Sequence, residues 1–258
     1  MTLIINSVPQ WRSIRNKIDA STPIGFVPTM GALHEGHISL LHRAKSENAL
    51  SVLSIFVNPA QFNDKEDFAK YPKPLSADIK IANECKVDYL LLPIDTEIYC
   101  DHYSYVISEK NQSTLLEGRS RPEHFDGVLT IVMKLFSLVK PNRAYFGEKD
   151  FQQLVLIQGL VKAFFLDIDI IPCPTVRESS GLALSSRNQH LTALQREKAS
   201  LIYQLLSTYT DPLIIAQKLE QAGFSIDYIE KWCDRLLAAV KLDNIRLIDN
   251  IPFNHQPS

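Results

Sequence analysis

Apolar positions along this chain follow two alternating rhythms. Short, near-continuous runs come first: IGFVPT (24–29), LSVLSIFV (50–57), VDYLLLP (87–93), RAYFG (143–147) and DIDIIPC (167–173). Strands without a polar face are expected where helices cover both sides of a parallel sheet. Between them the apolar positions recur every three to four residues. GHISLLHRAKSEN groups Ile38, Leu40, Leu41 and Ala44 on one face, and FDGVLTIVMKLFSLVK repeats Val128, Val132, Leu135, Phe136 and Val139 at helical spacing. The alternation predicts a doubly wound, Rossmann-like α/β domain with a parallel sheet over residues 1–176.

The rhythm changes near Thr192. TALQREKASLIYQLLSTY and DPLIIAQKLEQAGF read as helices, and IDYIEKW and IRLIDNI as two strands. This predicts a second, smaller and mainly helical α+β domain over residues 177–258. Residues 58–74 and 110–124 read as the longest polar loops.

Composition narrows the class. The 258 residues can bury a sizeable core, and 45% hydrophobic with 22% charged residues is ordinary for a soluble globular protein. Lys+Arg total 27 against Asp+Glu 29, so nothing advertises a nucleic-acid surface. No apolar run approaches membrane-span length, and the N-terminus lacks the pattern of a signal peptide. Cys85, Cys100, Cys173 and Cys233 form no CxxC pair, which disfavours a zinc ribbon or thioredoxin-type site and suits free thiols in a reducing cytosol.

The chemistry concentrates where strands end. PTMGALHEGH (28–37) follows the first long strand and opens a helix. Ligands of open α/β sheets bind outside the carboxyl ends of the strands, often at a helix N-terminus. Gly31 and Gly36 would let a ligand approach the backbone, and His34 and His37 can donate to phosphate oxygens. A zinc pair on a helix uses i,i+4 spacing, unlike this i,i+3 pair, and two ordinary histidines are the bland alternative. FGEKDFQQ (146–153) again joins a strand to a helix, with Lys149 as a point charge and Gln152 and Gln153 as amides. Its alternative is a solvated turn capped by Asp150. LALSSRNQHL (182–191) joins hydroxyls to an arginine, as an anion clamp or as a capping turn. FVNPAQF (56–62) ends a strand with Asn58 and Gln61.

In this order, PTMGALHEGH, FVNPAQF, HFDGVLTIVMKLF, FGEKDFQQL and LSSRN closely resemble the pantoate–β-alanine ligase family, with RLIDNI recurring near the end. The HxGH element alone would suggest only the wider nucleotidylyltransferase group. The resemblance implies that ATP and pantoate give pantoyl adenylate and pyrophosphate, after which β-alanine displaces AMP. It also implies Mg²⁺ dependence, a cytoplasmic location and a homodimer. Carried over by motif, Met30, Gly31, Ala32, Leu33, His34, Glu35, Gly36 and His37 would border ATP, with His37 as the proton donor. Gly147, Glu148, Lys149 and Asp150 would hold ribose and phosphates, Val176 would meet the adenine, and Leu184, Ser185, Ser186 and Arg187 would form the mobile loop of adenylating enzymes. His34, His37, Lys149 and Arg187 would be catalytic. Gln61 and Gln153 would bind pantoate, with Asn58 nearby.

The chain departs from the family pattern at several positions. Leu184 replaces a usual Met, Lys73 a usual Arg, and Glu123 and Asp126 stand where small or basic residues are common. The segment IDYIEKWCDRLLAAVKLDNIRLIDN reads as lacking a piece between its two strands, which predicts a leakier cover over the adenylate. Two other readings stay open: an adenylating enzyme for a different acid, and a nucleotide-binding module without catalysis.

Overall fold

A computed structural model describes residues 1–253, so the last five residues of the expected second domain lie outside the described residues. The chain divides into two compact units, 1–148 with 152–173 and 149–151 with 174–258. The boundary after 173 lies three residues before the expected one at 176, and Lys149–Phe151 group with the second unit.

The first unit contains β1 (Leu3–Ile5), α1 (Val8–Arg15), β2 (Ile24–Thr29), α2 (Glu35–Glu47), β3 (Leu50–Ile55), α3 (Lys65–Lys70), α4 (Leu75–Glu84), β4 (Tyr89–Leu91), α5 (Asp95–Ile98), α6 (Leu116–Ser120), α7 (His124–Val139), β5 (Arg143–Gly147), most of α8 (Phe151–Ala163) and β6 (Asp169–Cys173). All six strands are parallel, in the order β1-β4-β3-β2-β5-β6. Successive β2 side chains face opposite layers, as strand geometry requires. Val27 joins Leu40, Leu41 and Ala44 of α2, whereas the Phe26 ring meets Phe136 of α7 edge-on at 6.4 Å. The doubly wound expectation is therefore met. The stretches expected as polar loops carry the short helices α3 and α6.

The chain order of the strands reverses direction between β2 and β5, which defines the switch point of the sheet. The register there joins Gly25 to Arg143 and Phe26 to Ala144, while β2 and β3 stay paired through Thr29 and Ile55. β2 and β5 thus lose their pairing toward their carboxyl ends, where PTMGALHEGH begins.

The second unit holds α9 (Ala193–Ala199), α10 (Leu201–Thr208), α11 (Pro212–Gln221) and an antiparallel sheet of β7 (Ser225–Trp232), β8 (Arg235–Leu242) and β9 (Ile245–Pro252). Ile202, Leu206, Ile215 and Leu219 from the helices share its core with Leu236, Ala238 and Val240 of β8. Within the segment read as lacking a piece, Arg235–Leu242 is the central strand of the sheet, a strand not expected from the sequence.

Two helical glycines make a paired test. A Cβ on Gly127 in α7 would come within 2.3 Å of the Ala60 carbonyl oxygen, whereas one on the exposed Gly159 in α8 would meet nothing within 4 Å. Gly127→Ala should destabilise by about 1–3 kcal/mol through overpacking, and Gly159→Ala should stabilise by about 0.5–1 kcal/mol through helix propensity. Denaturant unfolding of both variants checks the opposite signs; the same sign at both sites would contradict the packing described.

Candidate active site

The turn after β2 takes two left-handed residues in succession, Gly31 at φ 80° and Ala32 at φ 50°. Such a conformation costs a residue with a Cβ about 1–2 kcal/mol. It aims consecutive N–H groups at one point, as in anion-binding nests. Here the anion is the protein's own. The Asp78 carboxylate of α4 accepts the Ala32 N–H at 2.9 Å and the Leu33 N–H at 2.8 Å, and Asp78 is only 1% exposed. Burial pushes its carboxyl above the usual range, and the bonds from Leu33 and Ala32 pull the other way.

That turn delivers the chain into α2 with His34 as the N-cap. His34 Nδ1 accepts the Gly36 N–H at 3.1 Å, and His37 Nδ1 accepts the His34 N–H at 3.4 Å. An accepting nitrogen carries no proton, so this geometry assigns each imidazole proton to Nε2. The two rings lie 4.2 Å apart. Two N–H donors therefore stand side by side at the positive end of a helix, a natural seat for phosphate oxygens.

Gln61 is oriented from behind. Asn58 Nδ2 donates to the Gly127 carbonyl at 3.1 Å, and Asn58 Oδ1 accepts from the Ala60 N–H at 3.4 Å and the Tyr99 hydroxyl at 2.6 Å. Desolvation holds the Tyr99 phenol above its ordinary range, so it stays a donor. The main-chain partners fix which end of the Asn58 amide is which. Its remaining N–H therefore reaches Gln61 Oε1, at 3.2 Å, and turns Gln61 Nε2 toward Met30 Sδ, at 3.1 Å. Gln61 presents an N–H, suited to a carboxylate or hydroxyl oxygen. His124 and Arg121 hold the Gln61 main-chain carbonyl at 2.8 and 3.2 Å. Asn58, expected near pantoate, is 1% exposed, and its amide is committed within the protein. Gln152 is likewise buried, clamping the Glu117 N–H and the Gln112 and Leu115 carbonyls. Gln153 is half-buried in the first turn of α8.

In the second unit, Lys149, Ser185, Arg187, Arg246 and Asp249 line one narrow pocket. The structure thus joins Lys149 of the GEKD turn to the LSSR loop. Ser185 caps the turn Ser186–His190 through the Arg187 N–H. The Leu184 N–H donates to the Val176 carbonyl at 3.0 Å, which sets these two expected nucleotide contacts side by side. Asp249 is paired by Arg177 at 2.6 Å and Arg246 by Asp227 at 2.6 Å, and Lys149 and Arg187 are further cations in the same lining.

Sequence reasoning missed Asp78 and Tyr99. The one available signal for Asp78 was its place one turn before Ala82 on the buried face of α4.

The family model of pantoate-beta-alanine ligase matches residues 3–252. The chain belongs to the pantoate–β-alanine ligase family. It is 50% identical to pantothenate synthetase from Legionella pneumophila over 247 residues, 96% of this chain and 98% of that one. It is 51% identical to the enzyme from Coxiella burnetii over 253 residues, 98% of each chain. The crystal structure of the Francisella tularensis ligase, complexed with β-γ ATP and β-alanine, superimposes with a TM-score of 0.94 at 45% identity over 98% of both chains. That of the Thermus thermophilus enzyme gives 0.89 at 36% identity, over 98% of this chain and all of its own. These relatives are matched over at least 98% of their own length, so the chain is not shortened against them. The chain is an ATP-dependent ligase of pantothenate biosynthesis. Among the described residues no helix is long and apolar enough to cross a membrane.

Asp78→Asn offers one acceptor to two N–H donors and should cost about 1–3 kcal/mol of stability at neutral pH. A carboxyl raised in the folded state binds more protons folded than unfolded just above the ordinary value of 3.8, so its contribution falls as pH rises through that window. The variant's deficit against wild type should therefore widen as pH is lowered into the window. Urea unfolding across that range checks this; a narrowing deficit would contradict the raised value.

Proposed function

We propose that the chain activates pantoate as pantoyl adenylate and then transfers the pantoyl group to β-alanine. A pantoate carboxylate oxygen attacks the α-phosphorus of ATP. The bond to the bridging oxygen breaks, and pyrophosphate leaves with the electron pair. The β-alanine nitrogen then attacks the acyl carbon, AMP departs with its oxygen, and the amine gives up a proton. The observation that carries this reading is the pair of Nδ1-capped histidines at the head of α2, beside the switch point of the sheet.

The roles follow from charge. Negative charge grows on phosphate oxygens during attack, where fixed donors are most effective. His34 and His37 offer Nε2–H groups to those oxygens, and His37 is the proton donor. The main chain of Met30 to Gly36 borders the nucleotide. Lys149 and Arg187 supply cations, with Ser185 and Ser186 on the same loop as Arg187. Gly147, Glu148 and Asp150 flank the ribose and phosphates, and Val176 and Leu184 meet the adenine. Gln61 and Gln153 hold pantoate, and Asn58 acts through Gln61.

Magnesium fits as a companion of ATP. Among the described residues no three His, Cys, Asp or Glu side chains converge, which suits an ion held mainly by phosphates and water. The exposed Asp150 carboxylate, next to Lys149, would be the acid to add one oxygen. When bound, the ion neutralises phosphate charge. A cytoplasmic homodimer completes the reading. Exposed Cys100 and Cys233 suit a reducing compartment, and the exposed Tyr105 and Val106 suit a self-complementary contact. A light-scattering mass of one 29.2 kDa chain would remove the dimer.

Pyrophosphate should form from ATP and pantoate alone in a single-turnover burst, with AMP following only on addition of β-alanine. His37→Ala and Lys149→Ala should each slow the burst by about 10²–10³-fold with unchanged circular dichroism. Near-normal bursts in either variant would defeat its assignment, and pyrophosphate that waits for β-alanine would defeat the two-step order.

A further inference from the structure

Lys149–Phe151 follow β5 and include the first residue of α8, yet they group with the C-terminal unit. Three contacts within that unit account for this. Asn250 of β9 donates its Nδ2–H to the Lys149 carbonyl at 2.9 Å. The Phe151 ring meets Trp232 edge-on at 6.1 Å, and the Arg235 guanidinium lies 4.8 Å from its centre.

We infer that Asn250, backed by Asp249 and Arg177, is a positioning residue for Lys149. The inference rests on the role proposed above for Lys149. The orientation of the Asn250 amide follows from its partners. Arg235 can only donate, and its Nη1 meets Asn250 Oδ1 at 2.9 Å, so the amide N–H faces the Lys149 carbonyl. The main chain of Asn250 is pinned as well. Its N–H donates to Asp249 Oδ1 at 2.7 Å, and its carbonyl accepts from Arg177 Nη2 at 3.1 Å. Arg177 clamps the Asp249 carboxylate with both terminal nitrogens, at 2.6 and 2.8 Å, and stacks 4.0 Å from the centre of the Tyr203 ring.

Asp249 and Asn250 are almost fully buried, so this ion pair and amide form a rigid block. The block fixes the backbone of Lys149 at the pocket shared with Arg187. The Asp-Asn of RLIDNI thereby acquires a task beyond closing a β-sheet. It sets where a cation 101 residues earlier meets the phosphates.

The test is a double-mutant cycle read by single-turnover pyrophosphate release. Asn250→Asp keeps the oxygen that faces Arg235 and deletes the N–H that holds Lys149. Asn250→Ala deletes both, and the Asp variant keeps the test valid should the Ala variant fail to fold. Either substitution should slow pyrophosphate release by roughly tenfold, the scale of a small misplacement, and leave the KM for pantoate unchanged. In a Lys149→Ala background the same substitution should change the rate less than about twofold, because the group it positions is gone. An equal loss in both backgrounds would overturn the inference and leave the role of Lys149 standing. A Lys149→Ala enzyme as fast as wild type would instead overturn the reading on which the inference rests.

Discussion

The buried carboxylate of Asp78 is the constraint on which the histidine-bearing turn depends. Ala32 sits in a conformation that costs about 1–2 kcal/mol, and a buried carboxylate adds a desolvation cost of its own. Two charge-assisted bonds to consecutive N–H groups, worth about 1.5–3 kcal/mol each, offset part of these costs, and burial still holds the carboxyl above its usual range. Neither the strained turn nor the buried acid would persist without the other. With the turn fixed, His34 enters extended, caps α2 and receives His37 over its own N–H. The tautomer that carries Nε2–H is thus set by main-chain geometry, and a ligand does not have to induce it.

The same logic recurs around Gln61 and Lys149. In each case an asparagine is locked by partners whose donor or acceptor character is unambiguous, and it passes that polarity on. Asn58 converts the Gly127 carbonyl and the Tyr99 hydroxyl into an N–H on Gln61 that faces Met30. Asn250 converts the Arg235 guanidinium into an N–H that holds the Lys149 backbone. Catalysis by positioning and electrostatics needs donors that are already aimed. Buried amides supply that aim at little entropic cost once they are packed.

Much of the fold was legible from residue pattern, for identifiable reasons. β2 and β5 match the runs IGFVPT and RAYFG because buried parallel strands are apolar on both faces. β1 escaped notice because Leu-Ile-Ile is three residues long, and its place at the sheet edge comes from pairing with distant Tyr89–Leu91. β8 was passed over because RLLAAVKL has no clean alternation: Leu236 through Val240 are all buried, between β7 on one side and β9 on the other. The helices in the polar stretches are too short to show an apolar stripe: α3 has six residues and rests on the Asp64 cap, and α6 has five. In the site, the motifs disclosed the groups expected to meet ligands, among them His34, His37, Gln61, Lys149 and Arg187. They could not disclose Asp78 or Asn250 as the groups that hold them, because those partners lie 46 and 101 residues away in sequence.

The central claim is that the pantoate carboxylate attacks phosphorus before any amide bond forms. Transfer of isotope tests it directly. Pantoate labelled with ¹⁸O in both carboxylate oxygens, turned over with ATP and β-alanine in unlabelled water, should deliver one ¹⁸O to the phosphate of AMP and keep the other in the amide carbonyl of the product. AMP free of label would contradict an acyl adenylate and, with it, the roles assigned to the histidine turn.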